Sequence, residues 1–329
     1  MGKVLSISVA AYNVEKFINQ CLDSFVASRL IDDVEVIVTD DGSKDNTADI
    51  VSTYCDKYPT SIILVKQENA GPGSTVNSGI SVASGKYFRM VDGDDWVNTE
   101  DFTKLIEQLK NIDSDAVINN YVMVDNDTAE QVRCPVNNFE SGVENKFADI
   151  ADKLDIAMHN FIVKTEIMKR HVKLLNGFYT DTQYLLFPTR YIKTLTYLDL
   201  DVYMYRVSLA TQSMSITSLQ RNIAQHDAVV DSLLSFYEDY IASDDLDKRV
   251  EEYLRAKIVS IAGCELSTLL SFKANKERRE DLYAFFDKIS SMSPNVYNTF
   301  KKLKTVRVLL LSQLFYRPVS FLHRKRVKA

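Results

Sequence analysis

Through its first 205 residues the chain alternates between strand candidates, the first two of them β-branched runs that end in polar residues, and stretches with helical spacing, and nothing else constrains its fold as strongly. The candidates are Val4–Ala10, Val34–Asp40, Ile62–Lys66, Lys86–Val91 and Ala116–Val124, with Leu195–Tyr205 much later. Between the first two, Val14–Arg29 places Phe17, Ile18, Cys21, Leu22 and Phe25 at helical spacing. Asn46–Tyr58, behind an Asp-Asn-Thr cap, and Gly73–Ala83 also read as helices. Such alternation predicts an α/β fold with a Rossmann-like, mostly parallel sheet covered on both faces. Sheets of this kind bind ligands beyond the carboxyl ends of their strands.

After Arg206 the strand signals stop. Val207–Ser218 is rich in Ser and Thr and reads as a loop or hinge, and helical patterns then cover about 219–243, 245–273 and 277–291. The expected organisation is an α/β domain over 1–210 and an α-helical C-terminal domain over 211–329. Apolar residues make up 46% of the chain and charged residues 26%, which excludes a disordered or fibrous protein. No apolar run approaches the length of a membrane span, and the N-terminus reads as the start of a domain rather than a signal peptide. Cys21, Cys55, Cys134 and Cys264 form no CxxC pair, so neither a disulfide framework nor a zinc site is expected and a cytoplasmic location is the simplest.

The net charge of −6 is unevenly spread: Lys301–Ala329 holds nine Lys or Arg and no acid, while the preceding residues carry 30 bases against 45 acids. An acidic body argues against nucleic acid as a partner. In the tail, Leu303, Val306, Leu310 and Leu314 recur at three- and four-residue spacing before Pro318. That pattern fits a basic amphipathic helix making peripheral membrane contact, or one that packs on the helical domain or a second subunit.

Two strands end in carboxylate clusters, Asp40-Asp41-Gly42-Ser43-Lys44-Asp45 and Asp92-Gly93-Asp94-Asp95-Trp96. Like charges gathered at one sheet edge repel unless a cation sits between them, and an all-oxygen set selects Mg²⁺ or Mn²⁺. Simpler motifs fail. An EF-hand counted from Asp92 would need Gly at Val97 and an acid at Thr103; a dinucleotide fingerprint at Gly71-Pro72-Gly73 would need Gly at Val76. There is no P-loop and no HExxH, and His159, His171, His226 and His323 are dispersed.

Four segments together resemble the family 2 glycosyltransferases of GT-A fold, the nucleotide-sugar enzymes that build bacterial surface glycans. They are Val9–Leu22, Val38–Thr47, Asn69–Gly79 with Ser84–Tyr87, and Val91–Trp96. Phe178–Phe187 is similar to the acceptor-side motif, with Thr180 where the family usually has Glu, and Tyr205-Arg206 matches a pair common before the hinge. Ala11 stands where the family often has Pro. The resemblance implies a UDP-sugar donor, Asp94 holding Mn²⁺ or Mg²⁺ against the diphosphate, and Asp92 nearer the ribose. It implies further that Asp41 accepts from the uracil N3–H, that Tyr12 packs on the base, and that Ala11, Glu15, Gly71 and Gly93 complete the pocket. Asn77 would fix loop geometry. Asp181 would be the general base of an inverting transfer, its alternative being a helix cap. Asp95 and Trp96 fall on the acceptor side, where the indole either stacks on a sugar or packs in the core. A glycan acceptor, lipid-linked or on an adhesin, follows from the same resemblance. Its rivals are a sugar-nucleotide nucleotidyltransferase, for which AAYNVEKF lacks a Gly-Arg-rich loop, and a binding subunit without turnover.

Overall fold

A computed structural model describes residues 2–136, 139–208 and 215–327, and the chain divides into two compact units, Met1–Ala210 and Thr211–Ala329. In the first, one ten-stranded sheet contains β1 (Leu5–Ala11), β2 (Val34–Asp40), β3 (Ile62–Lys66), β4 (Tyr87–Asp92), β5 (Trp96–Val97), β6 (Ala116–Asp125), β7 (Gln131–Cys134), β8 (Glu144–Lys146), β9 (Phe161–Lys164) and β10 (Thr194–Val207). The order is β3-β2-β1-β4-β9-β6-β10-β5, with β7 on β6 and β8 on β10. β1, β2, β3, β4, β6 and β10 share one direction, and β9 enters antiparallel between β4 and β6. The short β5, β7, β8 and β9 carry little pattern of their own, and the periodicity reading does not find them.

Burial on both faces explains the sequence of the central strands. Every residue of β2 is buried, so VEVIVTD reads as a near-continuous run. The one acid on its inner stretch, Glu35, accepts from Ser6 Oγ at 2.5 Å, Ser84 Oγ at 2.9 Å and Gly85 N at 3.0 Å. Burial alone would raise its pKa, but these hydrogen bonds hold it below the usual value. Ser84-Gly85 is thereby pinned as the turn that feeds β4. Helix Pro72–Val82 lies so close to β1 that a Cβ on Gly79 would sit 2.1 Å from Ser8 Oγ. Beneath β9, the guanidinium of Arg89 donates to the carbonyl of His159, whose ring lies among Tyr121, Tyr203 and Tyr205. Burial, then Arg89, push that imidazole down to about 3, so His159 is a neutral core residue.

The second unit is helical over Ile216–Arg221, Ile223–Ile241, Lys248–Ser271, Lys276–Met292, Pro294–Phe300, Lys304–Leu311 and Tyr316–Val327. Of the expected loop Val207–Ser218, Val207 closes β10, Ile216 opens a helix, and 209–214 lie outside the described residues. The core is built on Leu233, Leu234, Leu254, Ile258, Leu282, Phe286, Ile289 and Phe300.

Within that core His226 Nδ1 lies 2.5 Å from Glu265 Oε2, both side chains buried. Burial pulls both groups toward neutrality, lowering the one and raising the other, yet hydrogen bonds to Cys264 and Glu265 bring His226 up to about 9. A histidine raised in the folded state contributes its full stabilisation below its unfolded pKa and loses it as pH rises through the folded one. Glu265→Gln is expected to cost about 3 kcal/mol near neutral pH. Urea unfolding should also show a smaller loss of stability between about pH 7 and 10 in the variant than in wild type, because Cys264 still raises His226.

Candidate active site

Register brings the strand ends together: Ala11 pairs with Asp40 across β1 and β2, and Ala10 with Asp92 across β1 and β4. Tyr12, Asp41 and Gly93 therefore begin the loops at one edge. Beyond β4 the chain turns tightly, with Gly93 N donating to Ala10 O at 2.9 Å and Asp95 N to Asp92 O at 3.0 Å. A Cβ on Gly93 would lie 2.8 Å from Ala10 O, so the turn presses directly on β1.

That turn gathers the carboxylates of Asp92, Asp94 and Asp95, which offer oxygens within 4.8 Å of one another. Burial pushes Asp92 up to about 7, helped by the charges of Asp94 and Asp181. Asp94 is raised by burial against the pull of Arg206, and Asp95 by burial and then by Asp92 and Asp94. Three acids that each resist ionisation fit a hard divalent cation, whose charge would offset the repulsion. Cys21 lies fully buried close to them, its thiol held well up by burial and by the same three acids, and so is unsuited to nucleophilic work.

Asp95 and Trp96 are engaged by the protein itself. Tyr203 donates its hydroxyl to Asp95 Oδ2 at 2.6 Å, and Arg206 N donates to Oδ1 at 2.7 Å. Trp96 packs on Val122, Val124 and Met204. The Arg206 guanidinium lies 4.6 Å from the Trp96 ring centre and 4.8 Å from that of Phe17, while its Nε donates to Asp94 O at 2.8 Å. Arg206 thus fastens the acidic turn to helix Ile18–Val26 and to the end of β10. Sequence reasoning marked it only as half of a Tyr-Arg pair. Its place at a strand end facing an acidic edge is the signal that points to this role.

On the β2 side, Asp41 organises the glycine loop. Its Oδ1 accepts from Gln67 Nε2 at 2.7 Å and Ala70 N at 3.0 Å, and its Oδ2 from Gly71 N at 2.8 Å. Gly71 has φ +88°, and a Cβ there would meet Gly177 Cα at 2.5 Å; Gly73 N donates to Gly177 O at 3.1 Å. Asn77 adds a two-way pairing with the backbone of Leu174, at 2.9 and 3.0 Å. The segment around Gly177 is therefore fitted against the Gly71 loop, a contact no single-sequence pattern reveals. Glu15 Oε2 accepts from Asn46 N and Nδ2 at 3.0 and 2.8 Å, ahead of helix Thr47–Lys57. Tyr12 is 48% exposed, a flat ring at the mouth of the edge.

Asp181 is the first residue of helix Asp181–Leu186, and the N-cap position belongs to Thr180. Its side chain is exposed, and its charge raises both Asp92 and Tyr205. The carboxylate therefore acts on the acidic edge from a separate element. Thr180 is buried, against Gly73.

A mostly parallel α/β sheet with this acidic edge, followed by a helical unit, is the GT-A class of fold. The S. aureus TarS 1-349 structure in complex with UDP-GlcNAc matches it with a TM-score of 0.68, at 18% identity, over 98% of this chain and 90% of that one. The chain belongs to glycosyl transferase family 2, whose family model matches residues 6–172, half of its length. It is 38% identical over 117 residues to the uncharacterized glycosyltransferase EpsJ of Bacillus subtilis, covering 36% of this chain and 33% of that protein. Over 98 residues it is 38% identical to the poly(ribitol-phosphate) beta-glucosyltransferase of Bacillus spizizenii, covering 29% of this chain and 16% of that one. The matched region thus spans a third or less of these curated relatives.

Proposed function

We propose that the chain is an inverting, divalent-metal-dependent glycosyltransferase that moves a hexose or N-acetylhexosamine from a UDP-sugar to a glycan acceptor. The observation that carries this reading is the Asp92–Asp94–Asp95 cluster at the strand edge with the charge of Asp181 acting on it from another element. TarS has been solved with UDP-GlcNAc and with UDP, which supports a uridine nucleotide as the donor's carrier. One relative is named as a poly(ribitol-phosphate) beta-glucosyltransferase, which supports a bacterial surface polysaccharide as the acceptor; a surface adhesin glycosylated in the cytoplasm is the other candidate.

In this reading Tyr12 stacks on the uracil, and Asp41 Oδ2, which carries one hydrogen bond, has a lone pair for the base N3–H. Ala11, Glu15, Gly71 and Gly93 shape the pocket. Asp94, with Asp92 beside it, holds Mn²⁺ or Mg²⁺, which when bound supplies the Lewis acidity that neutralises a leaving diphosphate. Asp181 takes the proton from the acceptor hydroxyl as that oxygen bonds to the anomeric carbon. The bond to the UDP oxygen breaks on the opposite face, inverting the centre. Asp95 and Trp96, held by Tyr203 and Arg206, keep the acceptor side in shape.

A panel of UDP-sugars with Mn²⁺ or Mg²⁺, followed by mass spectrometry, tests this. UDP release with sugar transfer or hydrolysis is expected. Pyrophosphate release from UTP and a sugar 1-phosphate would instead make the chain a nucleotidyltransferase, and binding without turnover would make it a non-catalytic subunit.

A further inference from the structure

The tail Lys301–Ala329, with nine bases and no acid, divides its apolar side chains into two sets. Val306, Leu309, Tyr316 and Ser320 are buried. Ser320 donates its hydroxyl to Leu270 O at 3.0 Å, and Tyr283 donates to Leu309 O at 2.8 Å, which anchors both tail helices to the helical unit. The other set faces solvent: Leu311 is 77% exposed, Leu314 83%, Phe321 51% and Leu322 59%. The expected single stripe does not form, because helix Lys304–Leu311 stops at Ser312 and a new helix starts at Tyr316. Val306 is buried, whereas Leu310 on the same helix and Leu314 beyond the break are exposed.

Bases accompany the outward set. Lys301, Lys302, Arg307 and Leu310 line an open hollow of about 370 Å³, and the Lys325 ammonium lies 4.7 Å from the Phe321 ring centre. Scattered exposed leucines need no explanation, but several on one short segment among charges of one sign do. Isologous pairing of two such tails would set like charges against like. An anionic surface with an apolar layer beneath it satisfies both features at once.

We infer that the exposed face of the tail is a docking surface for an anionic lipid leaflet. Leu311, Leu314, Phe321 and Leu322 enter the acyl boundary, and the charged groups of Lys301, Lys302 and Arg307, whose aliphatic stems line the hollow with Leu310, meet headgroup phosphates. Attachment needs no sugar transfer, so it stands apart from the reaction proposed above.

Co-sedimentation of the full chain with phosphatidylglycerol or phosphatidylcholine vesicles tests it. Truncation is unsuitable, since it would remove the buried Val306, Leu309 and Tyr316. The chain is expected to pellet with the anionic vesicles at about 10 mM salt and to be released near 1 M, where the screening length falls from roughly 30 to 3 Å. Combined Lys301→Gln, Lys302→Gln and Arg307→Gln should weaken partition on the order of a hundredfold at low salt. Combined Leu311→Gln, Leu314→Gln and Leu322→Gln should weaken it by about tenfold or more, with an unchanged melting curve because these side chains are exposed. Failure to pellet with anionic vesicles at low salt overturns the inference, as does binding that survives both triple variants. Light scattering that shows a dimer dissociated by the leucine variant, without vesicle binding, overturns it too and makes the face an interface between copies.

Discussion

Asp94→Asn is expected to lower kcat on the order of 10³-fold or more while leaving the metal-free chain at least as stable as wild type. Loss of activity alone would follow from any damage to the fold. The stability result separates the two, because Asp94 stands among acids that repel it. A carboxyl whose folded pKa lies above its unfolded value keeps its proton longer in the folded state, so its ionisation at higher pH costs stability. Asp94 is raised in this way, and Asp92 reaches about 7 partly through Asp94. At pH 8 with chelator, removing one of the three charges should hold or raise the melting temperature. Added Mn²⁺ should raise it in wild type, by linkage, and much less in the variant. Full turnover by wild type in excess EDTA would sink the metal assignment.

Asp181→Asn is expected to lower kcat by about 10²–10⁴-fold and to leave UDP affinity unchanged. The change is nearly isosteric at the first helical position, and Thr180 remains the N-cap, so the local fold should survive. A general base acts on the acceptor, not on the nucleotide, which is why the loss belongs in kcat. A variant with near-normal kcat would remove Asp181 from the chemistry.

What could be read in advance follows the range of the interactions. β1, β2, β3, β4, β6 and β10 carry enough β-branched or aromatic residues to announce themselves, and the Asp92–Asp95 run sits at a strand end where a parallel sheet binds ligands. The inserted β9 is only Phe-Ile-Val-Lys, too short for a period. Within the site, the acids are contiguous in sequence and so are visible. The stack of Phe17, Arg206 and Trp96 joins positions separated by most of the first unit, and it forms only once β5 pairs with β10. The bonding of Asp41 to the Gly71 loop was hidden for the same reason. A carboxylate in a turn looks the same whether it waits for a base or holds a backbone.

The fit of Gly177 against Gly71 and Gly73 bears on how such an enzyme can be re-engineered. No side chain separates the two backbones there, and Asn77 and Leu174 lock the same pair of loops a turn away. A chimera that imports the segment before Asp181 to acquire a new acceptor would press a foreign backbone onto the loop that Asp41 holds. On the proposed reading, the donor-side and acceptor-side segments meet backbone to backbone at this seam. Grafts should move residues 69–79 and 174–181 as one cassette, and exchanges of either segment alone should lose donor binding before any new acceptor is gained.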